Sequence, residues 1–167
     1  MRVPLALIAF LAGLSLLQAA VYVPKLPPRI ASHFDGAGRA NGWQPREAFA
    51  TMHLSITLGA SLVMLLVAFL IRAMPASLMN VPHREYWLAP EREAETKSYL
   101  TAWMLWFSVL LLAFLLLVMQ LVIDANLAGA VPTLDNAWMW GSLGVFLAFV
   151  IAWTVSLFRR FGAPPAP

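Results

Sequence analysis

The chain has 167 residues and a net charge of +3; 61% of its residues are hydrophobic and only 11% are charged. A soluble domain is about one quarter charged, and most residues of so small a domain touch its surface. A single soluble core cannot bury this many apolar side chains, so a membrane protein is expected. The absence of cysteine excludes disulfides, thiolate metal sites and cysteine nucleophiles. The scattered basic residues lack the basic face of a nucleic-acid-binding protein.

Four apolar runs lie at 3–23, 52–71, 99–123 and 137–158, each about 20 residues or longer and free of Asp, Glu, Lys and Arg. Because backbone groups in lipid must be satisfied within their own segment, each run is predicted to be a transmembrane helix. The first run also fits a cleavable signal peptide, but its length favours a retained helix. The predicted fold class is an all-α bundle of four transmembrane helices.

Basic residues in the short loops predict the orientation, because they accumulate on the cytoplasmic side. With the N-terminus inside, seven basic residues are cytoplasmic and four are not. The cytoplasmic set is Arg2, Arg72, Arg84, Arg92, Lys97, Arg159 and Arg160, and the other set is Lys25, Arg29, Arg39 and Arg46. Both termini are therefore expected in the cytoplasm, the C-terminus within a basic, Pro-rich tail at 159–167.

The first loop, residues 23–43, is predicted to be a compact extracytoplasmic element. Its three prolines hold the chain extended as it leaves the first helix. The segment 29–34 alternates loosely in hydrophobicity, which favours a short β-strand. Asp35-Gly36 and Asn41-Gly42 are dipeptides typical of tight turns.

The second loop, around residues 79–92, leads into a helix that is expected to begin in the cytoplasm. Pro90 suits the first turn of a helix, and Glu91, Glu93 and Glu95 favour its positive end. The third transmembrane helix is therefore predicted to run unbroken from near Pro90 to Ile123, roughly 50 Å.

Both loops resemble a bacterial membrane domain of unknown function, number sixteen forty-eight, which accompanies immunity and signalling proteins of the SdpI type. The first loop carries Leu26-Pro27, Ile30, His33-Phe34, Gly38 and Asn41-Gly42-Trp43, which is similar to that family's first motif. The second loop, Asn80 to Arg92, resembles its other hallmark. The resemblance implies a multi-pass protein of the bacterial inner membrane, with a domain of that type at 1–92 and two further helices at 93–158 that complete the bundle.

The first functional hypothesis is a binding, signalling or immunity-like module, which rests largely on this resemblance. In the extracytoplasmic loop the candidate ligand-binding residues are His33, Phe34, Asp35, Gly38, Asn41, Gly42 and Trp43. In the second loop the candidates for docking or relay are Asn80, Pro82, His83, Tyr86 and Trp87. Besides the lipid bilayer, the partners considered are a membrane protein, a peptide, a repressor or a second copy of the chain. The alternative is a structural accessory subunit whose loops only brace the helices.

The sequence gives little support for metal binding, catalysis or ion-coupled transport. His33, Asp35 and His53 could bind a divalent metal, but Asp35 is expected to cap a turn, His33 to bond a backbone carbonyl and His53 to mark an interface. Ser32 and His33 are strand neighbours that point to opposite faces, so no enzyme and no cofactor are expected. The spans offer only Gln18, Gln120, Ser and Thr as polar groups, which disfavours a coupled transporter. Gln18 and Gln120 are expected to hydrogen-bond across helices.

Small residues recur at four-residue spacing in two of the predicted helices, at Gly144, Ala148 and Ala152 and at Ser55 and Gly59. This spacing lets helices approach closely. The simpler reading is packing within the bundle, and the alternative is a stripe that docks another membrane protein.

Overall fold

The computed structural model describes residues 1–164 and contains four long helices joined by short segments. They are α1 (Arg2–Tyr22), α2 (Arg46–Ala73), α4 (Glu93–Leu127) and α5 (Asn136–Arg160), and a single turn, α3 (Arg84–Trp87), lies between α2 and α4. All four long helices are long and apolar enough to cross a membrane. The predicted fold class is confirmed: this is an all-α, four-helix, multi-pass membrane protein.

The helices extend beyond the predicted runs at several ends. α2 begins six residues before its apolar run, directly after Pro45. α4 begins at Glu93 rather than Pro90, because the amides of Arg92 and Glu93 both bond the Ala89 carbonyl in a separate turn. From there α4 is continuous over 35 residues, or about 52 Å. Of the predicted tail, residues 165–167 lie outside the described part of the chain.

Three of the helices form the core, and the fourth lies outside it. α1, α2 and α4 bury side chains against one another, whereas no residue of α5 is buried. α5 contacts α4 through two aromatic stacks, Trp103 on Trp153 and Phe114 on Phe146. Trp106 of α4 lies away from these contacts and is 45% exposed.

The small-residue stripe of α5 does not pack within the bundle. Gly144, Ala148 and Ala152 are all exposed, and a Cβ built on Gly144 would meet no atom within 4 Å. Ser55 of α2 is also exposed. The expectation that these residues pack inside the bundle is therefore wrong for the stripe and for Ser55, because α5 lies at the edge of the bundle and Ser55 faces away from it.

Between α1 and α2 the chain forms an antiparallel hairpin of β1 (Arg29–Phe34) and β2 (Ala40–Pro45). β1 has the predicted bounds, and the turn at Asp35-Gly36 is closed by the Gly38 amide bonding the Asp35 carbonyl at 2.9 Å. The predicted turn at Asn41-Gly42 is wrong, because both residues lie within β2. Gly42 is opposite His33, where a Cβ would lie 2.7 Å from the His33 Cβ. This glycine therefore permits close strand pairing instead of a turn.

The bundle has two distinct ends. At one end, here called the hairpin end, the hairpin meets the α4–α5 connection through the Leu134 amide, which donates to the Gly38 carbonyl at 2.9 Å. At the other, the terminal end, Arg72 of α2 reaches the Met1 sulfur and Arg160 of α5 pairs with Glu95 of α4. Both ends of the described chain thus lie opposite the hairpin.

Candidate functional site

Asn126 of α4 fixes the hairpin to the bundle. Its side-chain Oδ1 accepts the Ala31 amide and its Nδ2 donates to the Ala31 carbonyl, both at 2.8 Å, and Nδ2 also reaches the Val122 carbonyl at 2.8 Å. A side-chain amide thus replaces a neighbouring strand for one residue of β1. Ala31 is fully buried and Asn126 is 6% exposed, so these bonds form away from water, where unmet polar groups are costly.

The apolar residues of the first motif belong to the core. Leu26 and Ile30 are buried in a cluster with Phe49, Met119 and other residues, and Phe34 packs partly against it. Arg46, at the start of α2, donates to the Leu26 carbonyl from its side chain and to the Pro28 carbonyl from its amide. Phe34 therefore packs against the protein's own core, although the sequence suggested that it contacts a ligand.

The hairpin turn is held by Asp35 and shaped by Gly38. The Asp35 carboxylate accepts from the Ala37 and Arg39 amides and from the Arg39 guanidinium, at 2.9 to 3.0 Å. The bond from the Arg39 amide is the main cause that lowers the Asp35 pKa below its ordinary value. Gly38 has φ of +79°, and a Cβ there would lie 2.6 Å from the Leu134 carbonyl oxygen. Asp35 thus caps the turn, as expected.

Four exposed residues of the hairpin contact one another in pairs: Arg29 with Trp43, and His33 with Asn41. We call them the exposed hairpin group. Trp43 is 44% exposed and lies under the Arg29 guanidinium, 6.0 Å from the ring centroid. The His33 ring bonds the Asn41 side-chain oxygen through Nδ1, not a backbone carbonyl as expected.

The three weak metal candidates are not brought together. Asp35 is engaged in its turn, whereas His53 is fully buried between α1 and α2. There its Nε2 lies 3.4 Å from the Ser15 hydroxyl, which is 2.6 Å from that of Thr57. His53 therefore marks a helix interface, as expected. Within residues 1–164, no three His, Asp or Glu side chains form a group that could hold a metal ion.

At the terminal end, the second loop builds an aromatic cluster around Trp87. The Trp87 ring packs edge-on against Tyr86 and Phe161, and the Arg160 guanidinium lies 4.5 Å from its centroid. The buried Thr96 hydroxyl donates to the Trp87 carbonyl at 2.7 Å. The second loop is therefore tied to both α4 and the end of α5.

The other second-loop candidates are more accessible. Asn80, Pro82 and His83 are exposed, and His83 adopts a left-handed backbone with φ of +50°. Asn80 and Pro82 line an apolar cavity of about 380 Å³ between the ends of α2 and α5. They lie at the end of the bundle opposite Trp43, so the two sets of candidates form two sites.

Sequence reasoning missed Asn126, whereas it predicted that Gln18 and Gln120 bond across helices, which the structure confirms. Gln18 donates to Gln120, and Gln120 donates to Asp124, both at 2.8 Å, forming a polar ladder from α1 to the hairpin end of α4. The signal was present, since polar residues in a span mark interhelical bonds or function. Asn126 lies just outside the apolar run, where a polar residue gives no such signal.

Residues 10–58 match a family described as a domain of unknown function, DUF1648. The match covers the second half of α1, the hairpin and the first half of α2. It supports the resemblance of the first loop, whereas the second loop lies outside it. No curated protein and no solved structure matches the chain.

Proposed function

We propose that the protein is a membrane-embedded binding module that presents the exposed hairpin group to a peptide or membrane-protein partner. The main observation in support is that the hairpin is firmly held by the bundle and yet leaves a large aromatic side chain exposed. Its backbone is fixed by Asn126 and its apolar side chains are in the core, yet Trp43 remains 44% exposed. Tryptophan held on a rigid element is a typical binding hot spot, because little entropy is lost when it is covered.

The orientation belongs to the same proposal. The distribution of basic residues favours cytoplasmic termini, which places the exposed hairpin group outside the cytoplasm. In this reading the protein acts in immunity or signalling at a bacterial inner membrane, in keeping with the SdpI-like resemblance of the hairpin sequence. The proposal requires no catalytic step and no cofactor.

The second candidate function, a structural accessory subunit, is favoured only by the terminal end. There Trp87 contacts Tyr86, Phe161 and Arg160 of the same chain. Those contacts brace α5 against the second loop. We therefore assign a bracing role to Tyr86 and Trp87, and the binding role to the hairpin.

Photocrosslinking at position 43 tests the binding function. A benzophenone amino acid replaces Trp43 in native membranes, and the matched control replaces Trp140, which is 55% exposed on α5. We expect a defined adduct from position 43 that is absent from position 140 and is lost when His33→Ala and Asn41→Ala are added. Identical adducts at both positions would contradict the proposal, because they would show that Trp43 is only an interfacial anchor.

Stability measurements separate binding from bracing. Trp43→Ala should unfold at the same denaturant concentration as the parent chain while losing the adduct partner in a pull-down. Trp87→Ala should lower the free energy of unfolding by about 2–3 kcal/mol, since it removes an aromatic cluster. A Trp43→Ala chain as destabilised as the Trp87→Ala chain would assign the hairpin to bracing.

A further inference from the structure

The side of α4 between α1 and α5 carries a groove with three adjoining compartments that all share Leu117. A compartment of about 450 Å³ lies against α1 and includes Gln18 and Gln120. One of about 660 Å³ lies at the hairpin end and includes Gln120, Asp124, Asp135 and Trp138 among its lining residues. The third, about 500 Å³, is almost wholly apolar and lies between α4 and α5. We call the whole the α4 groove.

The charge on the α4 groove has one sign. Between Lys97 and Arg159 the sequence has no Lys or Arg, and its only charged residues are Asp124 and Asp135. Among residues 1–164 neither carboxylate forms a salt bridge. Asp135 accepts the Trp138 amide at the start of α5, which engages one of its oxygens. Two carboxylates that line one compartment and form no salt bridge among residues 1–164 are complementary to a positively charged group.

The polar ladder of Gln18, Gln120 and Asp124 ends in hydrogen-bond acceptors. An ionised carboxylate only accepts, so the Gln120 amide must direct its Nε2 toward Asp124 and its Oε1 toward Gln18. Gln18 must then direct its Nε2 toward Gln120 and toward the Leu116 carbonyl, 3.2 Å away. The Gln18 Oε1 is left without a partner among residues 1–164, although Gln18 is only 8% exposed. Because the Gln18 Oε1 is enclosed, the polar group that the ladder presents in the compartment at the hairpin end is the Asp124 carboxylate, an acceptor.

From these features we infer that the α4 groove binds a membrane lipid with a primary ammonium headgroup, at the leaflet of the hairpin end. The ammonium donates to the carboxylates of Asp124 and Asp135, beside the indole of Trp138, whose ring face attracts cations. The acyl chain lies in the apolar compartment between α4 and α5, lined by Phe114 and Phe146. This inference is independent of the exposed hairpin group.

A lipid fits the α4 groove better than the other cationic occupants. The acceptors lie at one end and the apolar compartment extends from them along the helices, which matches a molecule with one polar head and one apolar tail. Within residues 1–164, no group of three or more His, Asp or Glu side chains could hold a metal ion. A lysine of a partner helix has the same charge, and the experiment below separates it from the lipid.

Lipid binding is measured by native mass spectrometry of the full chain released from nanodiscs. The discs contain equal amounts of phosphatidylethanolamine and phosphatidylglycerol with identical acyl chains, so that only the headgroup differs. We expect the retained lipid to be enriched in phosphatidylethanolamine by about tenfold, as one or two charge-assisted hydrogen bonds provide. Equal retention of the two lipids would overturn the inference.

Charge-neutral variants locate the site without removing helix contacts. In Asp124→Asn with Asp135→Asn, the side chains still accept from Gln120 and still cap α5, and the enrichment should fall to about one. The matched control, Glu47→Gln, removes an exposed acidic charge outside the α4 groove and should retain the tenfold enrichment. Enrichment that persists in the double variant, or binding of a lysine-containing transmembrane peptide in place of the lipid, would contradict the assignment.

Discussion

At the residue scale, the side chain of Asn126 ties the hairpin to α4. It forms three bonds at 2.8 Å, two of them to the backbone of Ala31. Sequence reasoning could place Ile30 and Phe34 on a strand from their alternation. It could not identify Asn126, because its partner is 95 residues away and is a backbone group that carries no sequence signal.

Asn126→Ala should lower the free energy of unfolding by about 2–4 kcal/mol, because it leaves the buried amide and carbonyl of Ala31 without partners. The measurement is denaturant unfolding in detergent micelles followed by tryptophan fluorescence. Asn80→Ala is the matched control, since Asn80 is exposed and its loss should change stability by less than about 0.5 kcal/mol. Equal effects of the two variants would show that Asn126 does not fix the hairpin.

The turn glycines are predicted to differ in their tolerance of a methyl group. Gly38→Ala introduces a left-handed alanine and a contact of 2.6 Å with the Leu134 carbonyl oxygen, so it should lower the free energy of unfolding by about 1–3 kcal/mol. Gly36→Ala, two residues earlier, meets nothing within 4 Å and serves as the control. A Gly38→Ala chain as stable as Gly36→Ala would disprove the close contact between hairpin and α4–α5 connection.

The hairpin turn should also depend on pH through Asp35. Its pKa is lowered chiefly by the Arg39 amide, so its contribution to stability is present above the ordinary carboxyl pKa of 3.8. That contribution is lost as the pH falls through the lowered value. The Arg39 amide proton, followed by NMR, should shift in this acidic range, and the shift should vanish in Asp35→Asn. An Arg39 amide titrating above the ordinary carboxyl pKa would contradict the turn geometry.

At the element scale, the sequence predicted helices better than strands. Apart from Val23, which follows the end of α1, each apolar run lies within a long helix, since a helix satisfies the backbone groups of an apolar segment in lipid. β1 was predicted and β2 was not, because Asn41-Gly42 is a strong turn signal that here serves close strand pairing. The position of α5 was also not predictable: its small-residue stripe indicates packing, but only the structure shows that it faces outward.

α5 should be the least firmly held helix, because it joins α4 mainly through aromatic side chains. Trp153→Ala removes the stack on Trp103 and the bond from the Trp153 indole to the Trp103 carbonyl. Spin labels on cysteines introduced at Ala113 and Val145 should then report a broader distance distribution between α4 and α5. Trp140→Ala removes an exposed tryptophan and should leave the distribution unchanged. An unchanged distribution in Trp153→Ala would show that other contacts hold α5.

At the scale of the whole molecule, composition alone determined the class of protein, and the even number of spans put both termini at one end. The sequence could also indicate the hairpin as the candidate site. It could not sort the motif residues into those that pack and those that face out, because both kinds occur in one short segment. Packing accounts for Leu26, Ile30 and Phe34, whereas Trp43 is 44% exposed.

The central claim is that four helices cross the bilayer and hold the hairpin on the side opposite both termini. The chain has no cysteine, so single cysteines at Ala37, Thr133, Ser77 and Ala163, all exposed in the structure, can be labelled with a membrane-impermeant thiol reagent in sealed vesicles. The account predicts that positions 37 and 133 react from one side and positions 77 and 163 only from the other. Labelling of all four positions from the same side of intact vesicles would contradict it.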